Sequence, residues 1–209
     1  MPTPLEKARK DPGSMKARIL DAARDLFAEY GFHGVTTRMI AKEVEIDIST
    51  LHYHWGDKEN LYEAVIEDLN DSIDQKLKEI EKIVRGKSLS YRLEVAIDVM
   101  CDYLFSMPAQ AKLVMSSQFL KTRSPGVAED RMVDQVSNIA LAMGLVTDKK
   151  DVPAAANARV VAVSTAIYIF TAGEESIRKL LKVGHNNYMD VVKETLKFIL
   201  IPAFTHTAE

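Results

Sequence analysis

Apolar residues recur at three- and four-residue spacing along nearly the whole chain, and no stretch alternates strictly between apolar and polar positions. That is the period of a helix rather than a strand, so the chain reads as all-α. Ile19, Leu20, Ala23, Leu26 and Phe27 form one stripe, in a helix that Ser14 can cap and that runs to Tyr30, where Gly31 stops it. A second helix is expected over Thr37 to Val44 with Thr36 as its cap, and a third over Ile48 to Trp55 capped by Asp47. The short separation between these two predicts a helix-turn-helix. Asp57 opens a long charged helix from Lys58 to about Arg85, with acids and bases interspersed on its exposed faces. Further helices follow over Ser90 to Ser106, Ala109 to about Thr122, Val127 to Met143, Asp151 to Val183 and Asn187 to about Ala203, punctuated by Pro108, Pro125, Gly126 and Gly144. The reading is of about nine helices: a loose basic arm over 1–13, a three-helix head over 14–57 and a larger helical body over 58–209.

With successive residues 100° apart, Leu51 and Trp55 fall on one side of the third helix and Ser49 and Tyr53 almost opposite, with His52 at their flank. His52 and His54 point about 200° apart, so a regular helix cannot bring both to one ion, and no metal is expected. Trp55 reads as a core anchor. A short helix with small, hydrogen-bonding outward residues, held by a tight turn against another helix, suits the DNA major groove, which at about 12 Å wide admits one helix. Thr37 and Arg38 open the preceding helix, where free amides and the dipole favour a phosphate, and Arg38 can reach a phosphate or a guanine edge. Lys58 opens the following helix in the same way. Each alone reads more readily as an ordinary surface polar residue; the argument lies in their convergence. The candidate contacts to double-stranded operator DNA are Thr37, Arg38, Ile48, Ser49, Thr50, His52, Tyr53 and Lys58.

The net charge of −3 argues by itself for no nucleic-acid partner; its distribution says more. Residues 1–18 hold five bases, Lys7, Arg9, Lys10, Lys16 and Arg18, against Glu6 and Asp11. A solvated tail is the plain reading of that basic end. The single cysteine, Cys101, allows no internal disulfide, and no apolar segment follows the basic start, so a cytoplasmic location is expected. The longest apolar run, Val160 to Ala172, is interrupted by Ser164, Thr165 and Thr171 and falls short of the roughly 18 residues of a membrane span. It reads as a buried helix, with no membrane partner.

From Ala17 to about Glu67 the chain resembles the DNA-binding head of TetR-family transcriptional regulators. The resemblance is carried in order by Ile19-Leu20-Asp21-Ala22-Ala23, Leu26-Phe27, Tyr30-Gly31-Phe32, Thr36-Thr37-Arg38-Met39-Ile40-Ala41, and Leu51 to Leu61, which reads Leu-His-Tyr-His-Trp-Gly-Asp-Lys-Glu-Asn-Leu. It implies a body that dimerises and binds a small effector. Two positions depart from the family pattern: Glu45 stands where the turn usually has glycine, and His52 where a phosphate-contacting tyrosine is usual, with Tyr53 next to it.

Residues 86–209 match no motif. Met100, Met107, Met115, Met132 and Met143 lie in the three middle helices, with Tyr103, Phe105 and Phe119 among them. Methionine adapts to irregular ligands, and at helical spacing it also fills plain cores, so Met100, Tyr103, Leu104, Met115 and Phe119 stand as candidates for an effector pocket or for core. The last long helices are apolar nearly all round and require burial, for which a second copy is the expected partner. The candidate homodimer residues are Val163, Ile167, Phe170, Val192, Leu196 and Ile199. Ser176-Ile177-Arg178-Lys179 fits Ser-x-x-Lys, yet the companion motifs Ser-Asp-Asn and Lys-Thr-Gly are missing from the sequence, and so are Gly-x-Ser-x-Gly and a phosphate loop. Neither an enzyme nor a cofactor is expected. The expectation is a ligand-responsive regulator, a repressor released from its operator by a small apolar or aromatic effector. The alternative is an architectural, nucleoid-type DNA binder without one.

Overall fold

Helical periodicity becomes eleven helices in the computed structural model, which describes residues 2–119, 127–148 and 151–205; the side chains of residues 118, 119 and 127–132 lie outside that description. Among the described residues there is no strand. The elements are α1 (Pro4–Lys10), α2 (Met15–Gly34), α3 (Thr37–Val44), α4 (Ile48–Trp55), α5 (Lys58–Val84), α6 (Leu89–Ser106), α7 (Pro108–Phe119), α8 (Val127–Ala142), α9 (Ala154–Ala172), α10 (Glu174–Leu181) and α11 (His185–Thr205). They form two compact units, Met1–Ile73 with Lys112–Thr122, and Asp74–Ala111 with Arg123–Glu209.

The first unit corrects the expectation of a loose arm. Pro4 stands in the first turn of α1, the Thr3 side chain accepts from the Glu6 amide, and the Glu6 carboxylate accepts from the Thr3 amide at 2.7 Å. This reciprocal cap satisfies amides that would otherwise be open, and buried Leu5 and Ala8 dock the helix. Arg9 completes the attachment, with Nε and Nη1 each 2.8 Å from Asp68 and Asp71 of α5. A basic composition suggested solvation, but three of seven residues serve the attachment.

Ser14 caps α2 as expected, and Gly31 interrupts the helix at φ 68°, after which one more turn runs to Gly34. The head does not end at residue 57. Leu61, Val65, Leu69 and Ile73 of α5 are buried, and the Tyr62 ring meets Phe27 at 5.0 Å and Phe32 at 4.9 Å, so the first half of α5 completes the core of this unit. Leu113 and Val114 of α7 are buried too, and Lys112 pairs with Glu29 at 3.0 Å.

In the second unit α11 packs on α6 and α9, and α9 packs also on α6, α8 and α10. Leu93, Ala140, Met143, Val160 and Phe204 form a buried cluster with Val163, Leu200 and Ile201 packed against it. Lys193 and Lys197 of α11 pair with Asp102 and Asp98 of α6 at 2.5 and 2.8 Å. The single helix expected over Asp151 to Val183 is two, broken at Gly173, whose carbonyl accepts from the amides of Ser176 and Ile177 as α10 begins.

The candidate interface residues also need correction. Ile167, Val192 and Leu196 are buried within the chain itself, Val163 and Phe170 are half-buried, and only Ile199 is exposed. An apolar stripe states that burial is needed, not whether the cover is the same chain or another. Of the pocket candidates, Met100 and Leu104 are buried and Tyr103 is half-buried, all in the second unit; Met115 is half-buried in the first. The side chain of Phe119 lies outside the described residues.

Candidate nucleic-acid interface

The site is built on the turn between α3 and α4. Glu45 takes the left-handed conformation (φ 60°, ψ 46°) that glycine adopts freely, and its amide donates to Ala41 and Lys42 carbonyls while the Ile46 amide donates to Ala41 at 2.9 Å. These bonds close α3 and fix the angle at which the chain leaves it. Asp47 then caps α4, accepting from the Thr50 amide at 2.7 Å and the Ser49 hydroxyl at 2.5 Å. The Ser49 hydroxyl bond, followed by the Thr50 amide, holds the Asp47 carboxyl below its ordinary value.

Leu51 and Trp55 are buried, and the Trp55 indole donates to the Lys16 carbonyl at 3.2 Å, pinning α4 to α2. The opposite side carries Ser49, His52 and Tyr53, all exposed, with Tyr53 at 83 % exposure; Ile48 and Thr50 are half-buried at its edge. The outward placement read from the sequence holds residue by residue. His52 Nδ1 donates to the Gly56 carbonyl at 2.6 Å, which leaves Nε2 for an outside partner. On α3, Arg38 is exposed in the first turn and Thr37 is half-buried beside it.

Lys58 is directed inward in this structure rather than out toward a phosphate. Its ammonium donates to the carbonyls of Phe32 and Val35, each at 3.0 Å, and lies 4.2 Å from the Phe32 ring centroid. The side chain satisfies carbonyls at the C-terminal end of α2, a demand invisible in the local sequence. Lys16 was missed. Its ammonium donates to His54 Nδ1 at 3.0 Å and to the His54 carbonyl at 3.2 Å, and lies 6.0 Å from the Tyr53 ring. Burial, then the charge of Lys7, lowers the Lys16 pKa; burial, then Lys16, lowers that of His54. The two lie 38 positions apart in the chain, so only the basic character of residues 1–18 hinted at the pairing.

Comparison with known proteins agrees with this geometry. The sequence model of a family described as bacterial regulatory proteins, tetR family, matches residues 19–65. The HTH-type transcriptional regulator UidR of Escherichia coli K12 is 43 % identical over 62 residues, 30 % of this chain and 32 % of UidR. The biofilm operon icaADBC HTH-type negative transcriptional regulator IcaR of Staphylococcus epidermidis is 42 % identical over 53 residues, 25 % of this chain and 29 % of IcaR. The matches thus span about a third of these relatives or less. Among solved structures, the ketosteroid transcriptional regulator KstR2 of Mycobacterium tuberculosis superposes with a TM-score of 0.68 at 17 % identity, covering 90 % of this chain and 94 % of KstR2. FadR of Bacillus subtilis, solved in complex with stearoyl-CoA, gives 0.54 at 16 % identity, covering 86 % and 96 %. At these identities the likeness is one of fold. The head at residues 19–65 is therefore similar to that of the tetR family of bacterial regulatory proteins.

Proposed function

We propose that this protein is a DNA-binding transcriptional regulator that uses α4 as its major-groove reading helix. The observation carrying this is the outward face of Ser49, His52 and Tyr53 on a helix pinned from behind by Leu51 and Trp55, with Arg38 exposed on the neighbouring α3. Arg38 and Thr37 serve phosphate or guanine, Tyr53 and His52 Nε2 serve phosphate or base edges, and Ile48, Ser49 and Thr50 line the edge of approach. Ser49 reads DNA through its lone pairs, because its proton is committed to Asp47.

The finer reading is a cytoplasmic repressor released by a small apolar or aromatic effector. IcaR is named a negative regulator, which supports repression. KstR2 is named for ketosteroids and FadR holds an acyl thioester, which supports an apolar effector class. Met100, Tyr103 and Leu104 of α6 are the residues of the second unit assigned to it. The protein acts as a homodimer, since successive half-sites lie about 34 Å apart and one reading helix covers one of them. Val161 and Ile169 of α9 and Phe198 and Ile199 of α11 are exposed apolar residues suited to a second copy. Helix α9 has the length and hydropathy of a membrane span, and 28 % of that window, with Val160, Ile167, Tyr168 and Thr171, is buried within the chain. Dimerisation uses its remaining apolar surface.

The test is binding-site selection on random duplexes followed by a salt titration on the selected site. A reproducible consensus is expected, bound with a steep log-log salt dependence, and Arg38→Ala should shallow the slope by about 1. Tyr53→Ala should shift preference at one position rather than weaken all sites evenly. An absent consensus, or a slope near zero, would overturn the proposal.

A further inference from the structure

The matched family segment begins at residue 19, so nothing in that match assigns a role to α1. Yet α1 is the most basic element of its unit, and its charges are not spent alike. Arg9 is held by Asp68 and Asp71, while the Glu6 carboxylate is occupied by the Thr3 amide. Lys7 and Lys10 remain, both exposed. With 100° per residue they stand about 60° apart on the side of α1 away from buried Leu5 and Ala8. The docking of that buried pair fixes the face of α1 from which the two lysines project, which a free arm could not do.

The position of this pair can be followed through contacts. Helix α1 is joined to α2 by Asp11–Ser14, and the Ser14 hydroxyl donates to the Asp11 carbonyl at 2.6 Å, tightening the connection. Lys16, in the first turn of α2, bonds directly to His54 of the reading helix and sits against the Tyr53 ring. Lys7 is near enough to Lys16 for its charge to lower the Lys16 pKa. Lys7 of α1 thus lies close enough to Lys16 of α2 to feel its charge, and Lys16 in turn reaches the exposed aromatic residue of α4. Like charges gathered this way repel one another, and an external polyanion relieves that repulsion.

We propose that α1 is a second DNA-contacting element, in which Lys7 and Lys10 bind backbone phosphates flanking the groove entered by α4. The inference rests on the reading of α4 as a DNA reader. Phosphate contacts carry no base information, so α1 contributes affinity and footprint length but not sequence preference.

The experiment compares the full-length parent with Lys7→Gln/Lys10→Gln and with Lys7→Arg/Lys10→Arg, on the selected site and on a version trimmed at both flanks. Circular dichroism and melting first establish equal folding. The glutamine pair should shallow the log-log salt slope by about 1 to 2 and leave the consensus unchanged, while the arginine pair keeps the parent slope. Trimming the flanks should weaken the parent more than the glutamine pair. A steep parent slope that the glutamine pair retains would overturn the role of α1 and leave the α4 reading intact, as would a changed consensus. A parent without salt-dependent, site-specific binding would remove the α4 reading and this inference with it.

Discussion

Lys58 and His54 of the head show how a single residue's surroundings decide its use. Lys58 opens α5, where an ammonium would meet phosphate, but it instead binds the carbonyls of Phe32 and Val35. Lys58→Met should therefore lower stability by about 1.5–3 kcal/mol, the usual range for hydrogen bonds to a charged group, and leave the salt slope of DNA binding unchanged. Denaturant melts beside the slope separate these effects, and a shallower slope at unchanged stability would restore Lys58 to the phosphate face. His54 adds a pH dependence. Its folded pKa lies below the ordinary 6.5, because burial and then Lys16 disfavour the charged ring. The unfolded chain thus binds more protons in the interval below 6.5, so stability rises with pH through that interval, is fully present above it, and is lost as pH falls toward the folded value. Melting temperatures over about pH 5 to 7.5 should fall on acidification, and His54→Gln should flatten the curve in that window. A variant curve parallel to the parent's would show that His54 is not the group responsible.

At the scale of elements, the break between α9 and α10 depends on one missing side chain. A Cβ at Gly173 would lie 2.9 Å from the Ile169 carbonyl oxygen and 3.1 Å from Ile177 Cδ1. The first of these is backbone and cannot yield cheaply, so Gly173→Ala should destabilise by about 1–3 kcal/mol, the common cost of forced packing, although alanine favours helix. A rise in melting temperature would mean that the helix propensity of alanine outweighs the clash. The sequence pattern ran helix through this point because the apolar spacing of Ile167, Phe170 and Ile177 stays in phase across it. By contrast α3 and α4 match their expected bounds, since Thr36 and Asp47 cap them with local bonds and need no distant partner.

For the whole molecule, the same distinction separates core from interface. Ile167, Val192 and Leu196 are covered by their own chain, whereas Phe198 is 82 % exposed and Ile169 46 %. The parent should sediment as a dimer, Phe198→Glu should give a folded monomer with weakened operator binding, and Ile167→Glu should lose helicity because a carboxylate would be buried without a partner. Sedimentation and circular dichroism together decide this, and a dimeric Phe198→Glu protein would place the contact elsewhere.

Periodicity, caps and the outward face of α4 were legible in the sequence because each rests on residues within a turn or two of one another. Helical class, the short α3 and α4, the core roles of Leu51 and Trp55, and the exposure of Ser49, His52 and Tyr53 follow from 100° spacing and side-chain capping alone. What required the tertiary structure was every choice between partners remote in sequence. The docking of α1 through Arg9 to Asp68 and Asp71, the inward turn of Lys58, the bond of Lys16 to His54, and the burial of Ile167 by its own chain are of this kind. A local pattern states that a charge needs a counterpart or an apolar face needs cover; only the folded chain, by bringing one particular group within reach, determines which one supplies it.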